Sequence, residues 1–261
     1  MSEKPRVSLS MGVVSGWLPE GLQARLLETL DLVHAVSAHG VYGACGIELM
    51  CRHLPDIDTL NTVLQGNLLS ELGVVALRGG EISLHAPRAT YVNGGLEETE
   101  ALRGIATLHD RVGFHHVIFH GGWLNPGDHV KVQNPGFPVA FENDDSLLPS
   151  GHRTVDELLH LSDSAPVVID VGHVEHHFGD GAAAALEEMI QRLGDRVAGY
   201  HVSSAQKNGW HRPMQGTAVE TLLDEVPLNG AVRVIESPVA QSHALVELFG
   251  ELAIATAHVR V

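Results

Sequence analysis

Cysteine, lysine and long apolar runs are all scarce in this chain, and each shortage removes a class of protein from consideration. The two cysteines, Cys45 and Cys51, lack the CxxC spacing of a zinc ribbon, which indicates ordinary reduced thiols rather than a disulfide framework. No stretch of about eighteen consecutive apolar residues occurs, and residues 1–6 contain no apolar signal segment. We therefore expect no membrane-spanning helix and a cytoplasmic protein.

Positive charge is a further shortage. The chain has only three lysines, and its 16 basic residues stand against 32 acidic ones, which gives a formal net charge of −16. A protein that binds duplex DNA usually needs a clustered basic face, because neutralising phosphates supplies most of its affinity. The sequence contains no such cluster. The composition therefore argues against duplex DNA as a partner and favours a small-molecule substrate.

Apolar residues make up 44% of the 261 residues, which is enough for one large core. Short β-branched runs alternate with longer helical patterns, and this alternation predicts repeated β-α units and a parallel sheet. Eight strands are predicted, near Val7–Ser10, Gly46–Met50, Glu81–His85, His116–His120, Pro138–Glu142, Pro166–Asp170, Gly199–Val202 and Val232–Glu236. Helical patterns fill most of the intervals, roughly Pro19–Ala38, Asp56–Leu72, Leu96–Val112, Thr154–Ser162, Gly181–Leu193, Ala218–Glu225 and Ser242–His258.

Eight strands with crossover helices in a chain of this length predict an α/β fold, a (β/α)8 TIM barrel that forms a single domain over residues 1–261. An open, doubly wound sheet is the alternative, but no glycine-rich phosphate loop follows the first strand. One unit is irregular, because Gly121–Phe137 contains two Asn-Pro-Gly triplets and little apolar periodicity. The fourth helix is therefore predicted to be missing or vestigial. The apolar surface left by its absence predicts a homodimer contact.

Histidine is abundant, with 18 residues in the chain. Some of these fall on helical stretches, where they are expected to pack or face solvent: His34, His39, His109, His160 and His243. Several of the remaining histidines, together with carboxylates, stand at the ends of the predicted strands.

In barrel enzymes, residues at the C-terminal ends of the strands carry the chemistry. Six of the eight predicted strands end on or contain a side chain able to bind a metal, and two more candidates follow in the loops. These eight residues are His85, His120, Glu142, Asp170, His173, His201, His211 and Glu236. Carboxylates that close an apolar run are rarely buried unless they are paired or coordinated. The set therefore predicts a metal site, and imidazole with carboxylate favours zinc, manganese or iron.

Six short motifs stand in barrel order along the chain. They are Ser83-Leu84-His85-Ala86-Pro87, His120-Gly121-Gly122, Phe141-Glu142-Asn143, Asp170-Val171-Gly172-His173, the stretch from His201 through Lys207 and His211 to Gly216, and Glu236-Ser237-Pro238. With these motifs, the chain resembles the endonuclease IV-like branch of the xylose isomerase-like TIM barrel superfamily over nearly its whole length.

The resemblance implies a site for two or three divalent transition-metal ions. One set of residues would form the part shared with single-metal sugar isomerases and epimerases: Glu142, Asp170, His201 and Glu236. A second set would hold the additional ions: His85, His120, His173 and His211. Glu142 is predicted to bridge two ions. The chain departs from the endonuclease pattern at Gly209, where an aspartate two residues before the second histidine is expected, so one metal carboxylate is absent.

Three functions remain open at this point. The first is a metal-dependent hydrolase of a phosphoester or similar small polar substrate. The second is a single-metal sugar or polyol isomerase, epimerase or dehydratase, in which Glu142 and Glu236 move protons as catalytic residues. The third is a multinuclear iron oxidative enzyme. In each version, residues of the loops are candidates for lining the substrate pocket: Arg88, Tyr91, Trp123, Lys207 and Trp210, with Trp17 nearby.

Overall fold

The computed structural model describes most of the chain. The described residues are 4–14, 21–87, 96–121, 136–144, 152–161, 164–205, 211–226, 228 and 230–257. Residues 122–135 lie outside these ranges, so the predicted loss of the fourth helix in Gly121–Phe137 falls largely outside the described residues. Among the helices that are described, none is long and apolar enough to cross a membrane.

Eight parallel strands close into a barrel, as predicted. The barrel strands are β1 (Val7–Ser10), β2 (Cys45–Met50), β3 (Ile82–His85), β4 (Val117–His120), β5 (Val139–Glu142), β6 (Val167–Asp170), β7 (Val197–Val202) and β10 (Val232–Ile235). Each barrel strand pairs with its neighbours along the chain, and β10 pairs with β1 to close the ring. Two further short strands, β8 (Ser204–Ala205) and β9 (His211–Arg212), form an antiparallel hairpin.

Helices surround the barrel. They are α1 (Leu22–His39), α2 (Leu54–Val63), α3 (Gly66–Leu77), α4 (Leu96–Val112), α5 (Val155–Leu161), α6 (Val171–Phe178), α7 (Ala182–Leu193), α8 (Ala218–Glu225) and α9 (Ala244–Thr256). The barrel strands are almost wholly buried, because their outer faces pack under these helices and their inner faces fill the barrel.

Two helix predictions need correction. The continuous helix predicted over Asp56–Leu72 is two helices, because Gln65 takes extended backbone angles (φ −133°, ψ 160°) between α2 and α3. Gly66, the first residue of α3, has a left-handed φ of 52°. Helix α6 was not predicted, since Asp170-Val171-Gly172-His173 reads as a loop motif. Asp170 is the N-cap of that helix, and its Oδ1 accepts a hydrogen bond from the backbone N–H of His173 at 2.7 Å.

The strand register places the predicted metal-binding side chains next to one another. His120 on β4 is paired with Glu142 on β5, and Asp170 on β6 is paired with His201 on β7. The eight barrel strands are all parallel, so their carboxyl ends meet at one mouth of the barrel. The barrel therefore brings these residues to a common cavity wall.

A buried carboxylate on α9 fixes the segment that follows the β8–β9 hairpin. Glu251 is 3% exposed, and its carboxylate accepts hydrogen bonds from the backbone N–H groups of Met214 at 2.8 Å and Gln215 at 3.4 Å. Hydrogen bonds to a charged acceptor are stronger than those between neutral groups. Helix α9 thus holds the chain just beyond His211, the residue that the hairpin brings to the mouth.

Close packing near the start of β2 depends on glycine. A Cβ on Gly46 would lie 2.3 Å from the carbonyl oxygen of Glu81 and 2.3 Å from Oγ of Ser8. The Glu81 carbonyl cannot move freely, because it accepts the hydrogen bond of the Ile47 backbone N–H at 2.8 Å. Only glycine fits between the neighbouring strands at this level of the barrel.

Replacing Gly46 with alanine is expected to lower the free energy of unfolding by about 1–3 kcal/mol, the usual penalty for forcing atoms into a packed core. Gly73→Ala in α3 is the matched control, because a Cβ there meets nothing within 4 Å. Alanine also favours a helix over glycine by about 1 kcal/mol, so the control should gain stability. Urea denaturation of both variants checks the pair, and an unchanged midpoint for Gly46→Ala contradicts the packing argument.

Candidate metal centre

All eight predicted metal-binding residues lie at the carboxyl-terminal mouth of the barrel. Seven of them are buried, and the side chain of His211 is 23% exposed. Within the described part of the chain, four groups of three residues have ligand atoms within 4.8 Å of one another. These groups are His85 with Glu142 and His201, His120 with Glu142 and His173, Glu48 with His201 and Glu236, and Asp170 with His211 and Glu236.

Glu142 lies at the centre of the cluster. Its Oε2 is 3.2 Å from Nε2 of His85 and 3.7 Å from Nε2 of His120. Its Oε1 is 3.2 Å from Nδ1 of His201 and 3.7 Å from Nδ1 of His173. Oε2 therefore faces two imidazoles, while Oε1 faces that of His201, because Nδ1 of His173 is hydrogen-bonded to the carbonyl oxygen of Asn143 at 2.9 Å.

Glu236 and Asp170 complete the second side of the cluster. Oε2 of Glu236 is 3.5 Å from Nδ1 of His201 and 3.6 Å from Nε2 of His211. Oδ2 of Asp170 is 3.7 Å from Nε2 of His173. The sequence predicts that His211 lies in a loop, whereas the structure places it on the second strand of the β8–β9 hairpin.

Each of the five histidine rings also has one nitrogen close to a polar atom outside the central carboxylates. In four rings this nitrogen is Nδ1, and it faces the carbonyl oxygen of Ala86 (3.2 Å, from His85), Oδ1 of Asp144 (3.4 Å, from His120), the carbonyl oxygen of Asn143 (2.9 Å, from His173) and Oγ of Ser203 (2.6 Å, from His211). His201 is reversed, with Nε2 hydrogen-bonded to Oε2 of Glu48 at 3.0 Å. Such partners fix the orientation of metal-binding imidazoles.

Sequence reasoning missed two buried carboxylates, Glu48 and Asp144, which are 0% and 1% exposed. Glu48 lies inside the apolar run Gly46–Met50 of β2, whereas Glu142 closes its run. It was overlooked because it lies two residues before the end of its strand. Asp144 follows Glu142 by two residues, and nothing in the sequence distinguishes it from an ordinary loop aspartate.

The donor set fits a metal. One polar atom on each of four residues is buried and makes no hydrogen bond within the described part of the chain: Glu142 Oε2, Asp170 Oδ2, His201 Nδ1 and Glu236 Oε2. Buried polar atoms are nearly always satisfied, so four such atoms around one cavity need a common partner. These atoms are carboxylate oxygens and an imidazole nitrogen, which are the ligands that zinc, manganese and iron accept.

The pKa values of His201 and Glu142 are shifted in opposite directions. Burial by itself lowers the pKa of His201, but the surrounding carboxylates outweigh burial and raise the pKa well above its ordinary value. In order of effect, these carboxylates are Glu142, Glu48 and Glu236. Burial raises the pKa of Glu142, but the histidines His120 and His201 outweigh it and bring that pKa well below its ordinary value.

The pKa values of Glu236 and His211 are shifted in the directions that favour the neutral form of each side chain. Burial raises the pKa of Glu236 to about 8, and the attraction of His201 opposes this only in part because other carboxylates lie close by. Burial lowers the pKa of His211 to about 4. Without metal at pH 7, Glu236 is therefore mostly protonated and His211 is a neutral imidazole.

The predicted pocket-lining residues lie outside the described residues: Trp17, Arg88, Tyr91, Trp123, Lys207 and Trp210. The same holds for Gly209, which stands at the expected metal aspartate. Their roles therefore stay predictions.

No known protein-family model matches the chain, and no curated protein matches it in sequence. Solved structures do match over nearly the full length. Endonuclease IV from Thermus thermophilus aligns with a TM-score of 0.64 at 14% identity, covering 97% of this chain and 100% of that one. D-psicose 3-epimerase from Clostridium cellulolyticum gives 0.63 at 10% identity, covering 98% and 100%. The 3-keto-D-glucoside 4-epimerase from E. coli gives 0.57 at 12% identity, covering 96% and 100%. At these identities the likeness shows the fold alone, a (β/α)8 barrel that this chain has in common with endonuclease IV and these epimerases.

Proposed function

We propose that this protein is a metal-dependent enzyme with two or three divalent transition-metal ions, and that it hydrolyses a phosphoester or a similar small polar substrate. One observation carries the proposal, which is the position of Glu142. Its Oε2 faces Nε2 of His85 and of His120, and its Oε1 faces Nδ1 of His201. A carboxylate placed in this way suits a bridge between two ions, the arrangement of two-metal hydrolytic sites.

In this proposal, residues on the two sides of the cluster would hold different ions. His85 and His120 would hold one ion with Glu142, while Asp170, His201 and Glu236 would hold another. Such ions, when bound, supply positive charge that stabilises an anionic transition state and promotes the ionisation of water. His173 and His211 are left for a third ion, whose expected carboxylate partner is replaced by Gly209.

The protein residues supply orientation and proton control. Glu142 is held ionised by its histidine neighbours, so it is ready to accept a cation without losing a proton. The acceptors behind the histidine rings keep one nitrogen of each ring directed to the cavity. The burial of the central carboxylates and of four of the five histidines excludes bulk water, and this strengthens the charge interactions between them.

A sugar or polyol isomerase, epimerase or dehydratase is the second candidate. The matches to the two sugar epimerases named above favour it, since their TM-scores are close to that of endonuclease IV. In this version one ion is held by Glu142, Asp170, His201 and Glu236, and the two glutamates move protons. His85 and His120 then have no ion to hold. An iron oxidative enzyme is the third candidate, and the identity of the metal distinguishes it.

Several finer features belong to the same proposal. They are a small-molecule substrate rather than duplex DNA, a cytoplasmic location, a homodimer, and one domain over residues 1–261. The net charge of −16 supports the first of these, because a surface of that sign repels a phosphate backbone. Sedimentation of the purified protein tests the homodimer directly.

The first test is metal stoichiometry. Protein purified without added metal is expected to contain at least two transition-metal ions per chain by elemental analysis. The double variant His85→Ala/His120→Ala should lose at least one ion, and its turnover of a generic phosphodiester such as bis(p-nitrophenyl) phosphate should fall by roughly 100-fold or more, since even changes behind metal ligands cost 10- to 100-fold. The removal of two imidazoles leaves Glu142 with no partner on that side.

His160→Ala is the matched control, because His160 is an exposed histidine on α5. It should keep the metal content and turnover of the natural protein. One tightly held ion per chain, unchanged in the double variant, contradicts the hydrolase and puts the epimerase first. Iron as the native metal, with no phosphodiester turnover, favours the oxidative candidate.

The second test is proton release. At pH 7 the metal-free protein holds protons on His201, whose pKa is raised, and on Glu236, whose pKa is about 8. A ligand must lose its proton to coordinate, so metal binding should release protons and tighten as the pH rises through 8. Isothermal titration with Zn²⁺ in buffers of different ionisation enthalpy counts the protons. The number should fall above pH 8, where Glu236 is already ionised.

Glu236→Gln should reduce the number of protons released at pH 7, whereas Glu188→Gln, a change at an exposed position on α7, should leave it unchanged. Binding with a proton count of zero at pH 7 would show that the two residues are not ligands.

A further inference from the structure

Glu48 is a buried carboxylate that none of the sequence motifs includes. It lies on β2, is 0% exposed, and its Oε2 accepts a hydrogen bond from Nε2 of His201 at 3.0 Å. Strand β2 does not pair with β7, the strand of His201, because β1 and β10 lie between them. The hydrogen bond therefore crosses the interior of the barrel.

The register places Glu48 beneath the metal centre. It is paired with Ser83, whereas His85 stands two residues after Ser83 on the same strand and is paired with Met50. Side chains two residues apart on a strand point to the same face, so Glu48 lies one layer deeper than His85. Oγ of Ser83 donates a second hydrogen bond to Oε2 of Glu48 at 3.3 Å.

The position of this carboxylate needs a reason other than stability. A buried charge pair is weak evidence for stabilisation, because desolvating both groups offsets their attraction. The hydrogen bond from His201 to Glu48 instead sets the orientation of the His201 ring. It occupies Nε2 of His201 and leaves Nδ1 directed at Oε1 of Glu142, 3.2 Å away, and at Oε2 of Glu236, 3.5 Å away.

We infer that Glu48 is a positioning residue for the metal centre: it holds the proton of His201 Nε2 and so keeps the Nδ1 lone pair directed at the ion between Glu142 and Glu236. This inference rests on the proposed function, because it requires an ion at that place. Carboxylates that accept a hydrogen bond from a metal-bound imidazole fix the ring orientation and raise its basicity. Glu48 contacts His201 from the layer beneath the metal centre. His201 therefore meets its supporting partner through Nε2, whereas the other four rings meet theirs through Nδ1.

Two variants of Glu48 test the inference. Glu48→Ala removes the acceptor, and the affinity for Zn²⁺, measured by competition with a chromogenic chelator, should fall 10- to 100-fold. Glu48→Gln keeps an oxygen that can accept from Nε2, so it should retain the full number of ions and lose less affinity than Glu48→Ala. Ile47→Val is the matched control, since Ile47 is a buried neighbour on the same strand that can lose a methyl group without touching His201.

The ring itself gives a readout that a general loss of stability cannot mimic. In zinc-loaded protein with ¹⁵N-labelled histidine, the slowly exchanging Nε2 proton of His201, assigned by its absence in His201→Asn, should persist in Glu48→Gln and Ile47→Val. It should exchange rapidly in Glu48→Ala.

The outcomes separate the inference from the proposed function. A natural protein that binds no transition metal overturns both. A natural protein that loads normally, with Glu48→Ala unchanged in zinc affinity and in the Nε2 proton, overturns the inference alone. If Glu48→Gln loses an ion as completely as Glu48→Ala does, Glu48 is itself a ligand and its role as a positioning residue is wrong.

Discussion

The attraction between one buried carboxylate, that of Glu142, and the imidazoles around it governs the arrangement of the barrel mouth. The carboxylate is 1% exposed, and an isolated charge in that position would be strongly unfavourable. The histidines of β3, β4 and β7 and of helix α6 surround it, and they bring its pKa below the ordinary value despite burial. His201, one of these histidines, in turn lies 3.5 Å from Oε2 of Glu236.

The backbone supports that arrangement in more than one way at the same residues. Asp170 closes β6, presents one oxygen to the cavity, and caps helix α6 with the other. The cap sets the direction of the helix that carries His173, so a metal-binding side chain also positions the next one. Asn143 adds to this, because its amide exchanges two hydrogen bonds with the Asp170 backbone, at 2.6 and 3.1 Å.

The eight strands could be predicted from the sequence, and so could the meeting of the candidate residues at one mouth, because both depend on one pattern, an apolar run closed by a polar residue. Glu142 and Asp170 show that pattern plainly. Glu48 does not, because it stands inside its run, and only the closed barrel shows that its partner is His201 on a strand that β2 does not touch. Helix α6 and the break before Gly66 were also beyond prediction, since a short capped helix and a two-residue interruption leave almost no periodic signal.

The hydrogen bond between Glu48 and His201 joins residues that are 153 positions apart in the chain. Contacts of such long range form late, because the entropy of closing so large a loop must be overcome before they stabilise anything. The complete centre therefore cannot form until the last strand has been made, and the chain up to Glu142 supplies only the side of it that holds His85 and His120. An ion held by both parts would join them across the mouth of the barrel, so chelation should lower the free energy of unfolding as well as empty the site.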